Sequence, residues 1–258
     1  MASQSIDRLR AHIGALERPG GSVSPALPLG VAEIDGHLPW GGLARGAVHE
    51  ILVRDLGAGV GFCTALLSRL AGPVLWIAEE RGFAGWRGLG YPPGLAALGA
   101  RDCRFLFARA RRAAEVLWAM EEALRTPGLV AALAGVAQLD LIESRRLQLA
   151  AEPRAVLGLL LRPDSHAPAP SAATTRWRLT SAPSAESGRL GVGPGRLRCR
   201  WRAELLRCRG GKPGSWTLEW RDETGGLAVV PPLPDRSDRA PAARDGGRVV
   251  RIGNAAAS

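Results

Sequence analysis

The sequence predicts an α/β fold, a mostly parallel central sheet flanked by helices and finished by antiparallel strands. Two observations carry this reading. Between Ala47 and Leu161, short apolar runs alternate with segments of helical period, the pattern of strand–helix–strand crossovers. After Pro163 the period drops to two, with apolar residues and arginines alternating as they do in half-buried antiparallel strands.

Taken in order, Ser5–Glu17 reads as a short amphipathic helix, with Ile6, Leu9, Ile13 and Leu16 on one face, Ser5 as its cap and Pro19-Gly20-Gly21 as its stop. With its linker it forms a leading segment, residues 1–26, expected to dock on its own domain or on a neighbouring subunit. The core is read as residues 27–230. In it, Ala47–Val53 is a strand, Asp55–Gly61 a Gly-rich turn, and Cys63–Leu70 a helix. Val74–Ala78 (VLWIA) has the composition of a buried parallel strand, and Arg104–Phe107 is a further one. Ala113–Arg125 is the clearest helix, its stripe made by Ala113, Val116, Leu117, Met120 and Leu124 and its end by Pro127-Gly128. Leu129–Val136, Glu143–Glu152 and Ala155–Leu161 then read as strand, helix and strand, with Asp140 at the start of the helix.

Beyond the Pro/Ser/Ala loop 163–175, Thr175, Trp177 and Leu179 alternate with Arg176 and Arg178. A Gly/Ser-rich loop, 181–195, precedes Leu197, Cys199, Trp201 and Ala203, which alternate with Arg196, Arg198, Arg200 and Arg202. The turn Gly210–Gly214 returns the chain into Trp216, Leu218 and Trp220 on one face. Residues 231–258, rich in Pro, Arg, Asp and Ala, are expected to be a disordered tail.

Apolar residues are 46% of the 258, which excludes wholesale disorder. The longest apolar stretch, Leu129–Ala137, is shorter than the roughly 20 residues a bilayer span needs, so no membrane association is expected. MASQSIDRLR lacks the order of a signal peptide, and the four scattered cysteines suit neither a disulfide framework nor a zinc site, so a reducing cytoplasm is the expected setting. No metal is expected. The net charge of +10 suggests a polyanionic partner, nucleic acid first, although a single lysine among so many arginines equally suits a GC-rich genome.

The informative stretch is Leu29–Thr64. It resembles the opening of a RecA-type ATPase core, in which a Gly-x-x-x-x-Asp segment (here Gly30 to Asp35) leads to Gly-Gly-Leu (Gly41-Gly42-Leu43), a Gly-x-x-x-Glu strand (Gly46 to Glu50) and a phosphate loop. The loop is degenerate. A working one reads Gly-x-x-x-x-Gly-Lys-[Ser/Thr], its amides cradling phosphates, its lysine neutralising charge and its hydroxyl holding Mg²⁺. With Gly61 at the second glycine, Leu56 stands at the first, Phe62 replaces the lysine and Cys63 the hydroxyl. Gly57, Gly59 and Gly61 are expected to keep the turn, and Thr64 does not restore the lost lysine. Glu79 or Glu80 stands where the resemblance places a water-activating glutamate, with a solvated strand end as the plainer reading, and Leu129–Val136 lacks a metal-binding acid. Neither cofactor nor catalysis is therefore expected, since phosphoryl transfer depends on positioned charge.

Arg176, Arg178, Arg196, Arg198, Arg200 and Arg202 are candidates for DNA phosphates, against the alternative of a solvated face. Trp177, Trp201, Trp216 and Trp220 are assigned to the core rather than to base stacking, and His37, His49 and His166 to structural or surface roles. Trp40, in its Pro-Trp-Gly-Gly turn, is an exposed partner-contact candidate.

The segments EVLWAMEEALR (Glu115–Arg125), SRRLQLAAE (Ser144–Glu152), GLLLRP (Gly158–Pro163), TTRWR (Thr174–Arg178) and ELLRCRGGKPGSWTLEW (Glu204–Trp220) resemble ImuA, a family of damage-inducible bacterial mutagenesis proteins with a RecA-like core. The resemblance covers residues 27–230 and supplies no catalytic residues. It implies a non-enzymatic accessory of SOS-induced error-prone translesion synthesis, nucleoid-associated, partnered with ImuB, an inactive relative of Y-family polymerases, and with an error-prone C-family polymerase. RecA, a second copy and DNA are further candidate partners. The alternatives are a regulator that binds a RecA-like recombinase and a DNA-dependent ATPase with an unorthodox site.

Overall fold

In the computed structural model, which describes residues 26–83, 92–100, 104–165, 168–183, 199–221 and 224–232, one nine-stranded sheet organises the chain. The elements are α1 (Ala32–Asp35), β1 (Ala47–Val53), α2 (Leu56–Leu67), β2 (Pro73–Glu79), α3 (Pro92–Ala97), β3 (Arg104–Ala110), α4 (Ala113–Arg125), β4 (Ala131–Gly135), α5 (Leu141–Ala151), β5 (Leu157–Pro163), β6 (Thr175–Ser181), β7 (Arg200–Cys208), β8 (Gly214–Arg221) and β9 (Gly226–Val229). The leading helix, Cys103, His166, Arg196, Arg198 and the tail from residue 233 lie outside the described residues.

The strand order is β3-β2-β4-β5-β1-β6-β7-β8-β9. Strands β1 to β5 are parallel, as the alternation of apolar runs with helices requires. The antiparallel part begins one strand later than expected. β6 runs parallel to β1 (Ile51 opposite Trp177), and only β7, β8 and β9 alternate in direction. The physical reason is the segment 164–174, long enough to carry the chain back along the sheet before β6 starts, where a tight hairpin would have reversed it.

Two cores face each other across the sheet. One lies beneath α2 and holds Phe62, Trp76, Trp177, Leu179, Trp201, Leu205, Leu218 and Trp220. The other lies beneath α4 and α5 and holds Val48, Ile77, Val116, Met120, Leu124, Leu147 and Leu160. The period-2 tryptophans of β6, β7 and β8 all enter the first core, each large ring contributing a few kcal/mol of burial. Trp40 is half-buried against that core rather than exposed, because the Gly41-Gly42 turn (φ +73° and +151°) brings Leu43 back to bridge Leu27 and draws the ring inward. No described helix is long and apolar enough to cross a membrane.

Candidate functional site

The first place to look is the junction of β1 and α2, where the sequence puts the degenerate phosphate loop. The expected Gly-rich turn Asp55–Gly61 is absent, and this corrects the sequence reading. After β1 only Arg54 and Asp55 remain non-helical, and α2 starts at Leu56. Asp55 caps it, accepting from the Gly57 amide at 2.9 Å, while Ser181 Oγ donates to the other carboxylate oxygen at 2.7 Å. A carboxylate of the chain itself thus occupies the helix N-terminus, the end that attracts anions.

The glycines serve packing here. A Cβ on Gly59 would meet Val53 Cγ1 at 2.8 Å and Leu161 Cδ2 at 2.9 Å, so only glycine lets α2 lie this close to β1 and β5. Gly61 faces Trp201, and Phe62, at the lysine position, is buried with its ring 6.0 Å from that of Trp201. Cys63 is fully buried, which pushes its thiol well above the ordinary range and keeps it protonated. Thr64 Oγ1 donates to the Val60 carbonyl at 2.8 Å, within its own helix. These residues do not fit Mg-ATP. The loop that would wrap phosphates is helix, the two side chains that would meet charge and metal face the core, and the first-turn amide is already bonded.

The other family-like positions are structural. Asp35 accepts from the amides of Leu29, Gly30 and Val31 at 2.7, 2.9 and 3.1 Å, tying the segment before α1 into a closed turn with Gly30 at φ +78°. Glu80, at the end of β2, is half-exposed and 3.7 Å from Arg109. Among the described residues, no three His, Cys, Asp or Glu side chains gather as metal ligands.

The second place is the face of β6, β7 and β8 opposite the tryptophans. Here the structure brings together Arg176, Arg178, Arg200 and Arg202, and adds Arg54, Arg162 and Arg221. Among the described residues, seven arginines share four carboxylates, those of Glu50, Asp164, Glu204 and Glu219. Glu50 is fully buried between Arg162 and Arg176. Asp164 receives Arg54 at 3.2 Å and Arg178 at 3.1 Å, and Glu204 receives Arg202 at 2.8 Å. The acids were missed in the sequence. Their signal was present in Glu50, a charge inside the otherwise apolar run AVHEILV, which a buried strand admits only with partners.

No family model matches the chain. Among curated proteins, Protein ImuA of Caulobacter vibrioides strain NA1000 / CB15N is 36% identical over 244 residues, covering 87% of this chain and 96% of that protein. Protein ImuA of strain ATCC 19089 / CIP 103742 / CB 15 matches with the same figures. The chain belongs to the ImuA family.

The stretch most distinctive of the ImuA resemblance, Arg207–Trp216, forms the β7–β8 hairpin and its turn. Gly210 takes φ +69°, and a Cβ on Gly211 would strike Cys208 Sγ at 2.8 Å. His37 Nε2 donates to the Lys212 carbonyl at 2.9 Å while its ring meets Trp216 edge-on at 5.1 Å. This ImuA-like hairpin is therefore a clamp on the turn after α1, not a reactive loop. The last feature is apolar. The outer surface of α4 and α5 exposes Trp118, Leu141, Ile142 and Leu149 at 64, 52, 72 and 57%, beside a cleft where Glu121 is held by Arg125 and Arg146.

Proposed function

We propose that this ImuA-family chain is a non-enzymatic accessory of SOS-induced, error-prone translesion DNA synthesis, holding an inactive Y-family polymerase relative (ImuB) and an error-prone C-family polymerase together. One observation carries the non-enzymatic part. α2 starts at Leu56, so the segment that cradles phosphates in RecA-like ATPases is spent as helix, with Phe62 in the core. Family membership supports the setting in damage-inducible mutagenesis. The exposed Trp118 and Ile142 support the accessory part, since large apolar side chains this open to water mark surfaces that a partner covers.

The test is affinity capture of the tagged chain from damaged cells at moderate salt, with mass spectrometry of what is retained. Recovery of both polymerase-related proteins from the wild type, and their loss with Trp118→Ala plus Ile142→Ser, is the expected result. DNA-stimulated ATP turnover that Glu80→Gln abolishes would overturn the reading.

A further inference from the structure

The arginine face of β6–β8 has an organisation that charge counting alone does not reveal. Arg54, Arg176, Arg178, Arg200 and Arg202 each reach their carboxylate through Nε. The base of each guanidinium is tethered, but Arg176 Nη2 also donates to the Ala169 carbonyl at 2.6 Å and Arg178 Nη1 lies 3.5 Å from Glu204, so among the described contacts the terminal amino edge, which can match the paired oxygens of a phosphate, is left open at Arg54 and Arg202. Depth separates the two charges as well. Asp164, Glu50 and Glu219 are 2, 0 and 4% exposed, whereas Arg54, Arg202 and Arg221 are 68, 63 and 49% exposed. Arg162, Arg176 and Arg200 are buried with the acids, at 8, 11 and 9%, so the open positive charge of this face, among the described residues, is that of Arg54, Arg202 and Arg221.

The described helices pack elsewhere, α4 over β2, β3 and β4, α5 over β1, and α2 on the opposite side of the sheet, which leaves Arg54, Arg202 and Arg221 open to solvent. The register places Arg54 level with Thr180, which pairs with Arg202, so Arg54 and Arg202 stand two strands apart, about 10 Å.

We infer that this face binds the phosphate backbone of duplex nucleic acid, without reading sequence. Single strands are disfavoured because, among the described residues, the face offers no aromatic platform. Trp177, Trp201 and Trp220 all point into the core beneath it, and stacking is what holds unpaired bases. An acidic protein is the competing partner. It is disfavoured because the carboxylate-anchored guanidinium groups of Arg54, Arg202 and Arg221 match the regular oxygens of a phosphodiester backbone better than scattered carboxylates. The site stands apart from the accessory reading, which survives if no DNA binds here.

The experiment is fluorescence anisotropy of the full chain with a labelled 30-base-pair duplex of arbitrary sequence and with its single strand, at 50 to 300 mM salt. The triple variant Arg54→Gln, Arg202→Gln, Arg221→Gln is compared with a control of equal net charge, Arg111→Gln, Arg145→Gln, Arg154→Gln, outside the carboxylate-paired cluster. The wild type should bind duplex at least as tightly as single strand. The first variant should lose roughly 10- to 100-fold in affinity at low salt and flatten the log–log salt slope by about 2 to 3, at unchanged melting temperature. The control should lose several-fold less. No duplex binding by the wild type, equal losses in both variants, or displacement by polyglutamate at the same charge concentration as by unlabelled duplex would each overturn the inference.

Discussion

At His49 a single imidazole closes a one-way chain of hydrogen bonds. The Ala44 carbonyl only accepts, so His49 Nε2 carries the proton and donates to it at 2.9 Å. Nδ1 is then an acceptor for the Thr175 hydroxyl at 2.8 Å, and Thr175 Oγ1 in turn accepts from Trp177 Nε1 at 2.9 Å. A proton on Nδ1 would break this order in a fully buried site, and burial pushes the His49 pKa down to about 4 from 6.5. The sign follows directly. Between about pH 6.5 and 4 the unfolded chain binds a proton that the folded one refuses, so the stabilisation is complete above pH 6.5 and is lost as pH falls. The loss should approach about 3 kcal/mol near pH 4. Urea midpoints measured from pH 7.5 to 4.5 should fall accordingly, and a His49→Gln variant, weaker at neutral pH, should lose that dependence. The sequence assigned His49 a structural role. It could not supply the partners, because Thr175 is more than a hundred residues away and reaches His49 only through the β1–β6 register.

α2 is where local reading and tertiary packing part. Three glycines at alternate positions look like a flexible loop when propensity alone is weighed, since glycine costs about 1 kcal/mol per residue in a helix. The helix forms anyway, because Phe62, Leu66 and Leu67 bury on its inner face and Gly59 lets it settle against β1. This separates two otherwise similar substitutions. Gly59→Ala puts a methyl into Val53 and Leu161 and should destabilise by about 1 to 3 kcal/mol despite its better helix propensity. Gly57→Ala meets only the Asp55 carboxylate, at 3.3 Å, and should be neutral or stabilising by up to about 1 kcal/mol. Thermal melts of the two variants check both signs, and equal destabilisation would mean that the segment is not the helix described. Other elements were legible in full. The bounds Ala113–Arg125 match α4, which buries Val116, Met120 and Leu124 of the expected stripe, and Asp140 caps α5 in a box with Glu143, because each signal there is local. The direction of β6 was not, since strand polarity depends on a connection without a pattern of its own.

Across the whole molecule, β1 is the hub. All seven of its residues are buried, with β5 on one side and β6 on the other. β3 is the opposite case, an outer strand exposing Leu106 and Phe107 at 44 and 38%. Hydrogen exchange should therefore be slowest along Val48–Leu52 and fastest, among strands, along Arg104–Ala110. Exchange of β1 amides at the rate of β3 would contradict the strand order. The same alternation that predicts the sheet predicts its buried strands, whereas their spatial order was never in the pattern. The order has a consequence for how the molecule is made. β1 is among the earliest strands to leave the ribosome, yet both strands that flank it, β5 and β6, emerge more than a hundred residues later. Until Pro163 has been translated, the strip that becomes the centre of the fold travels unpaired on both edges, and until Ser181 on one, so a nascent chain stalled before those points exposes a strand that the fold buries completely to chaperones or to other chains.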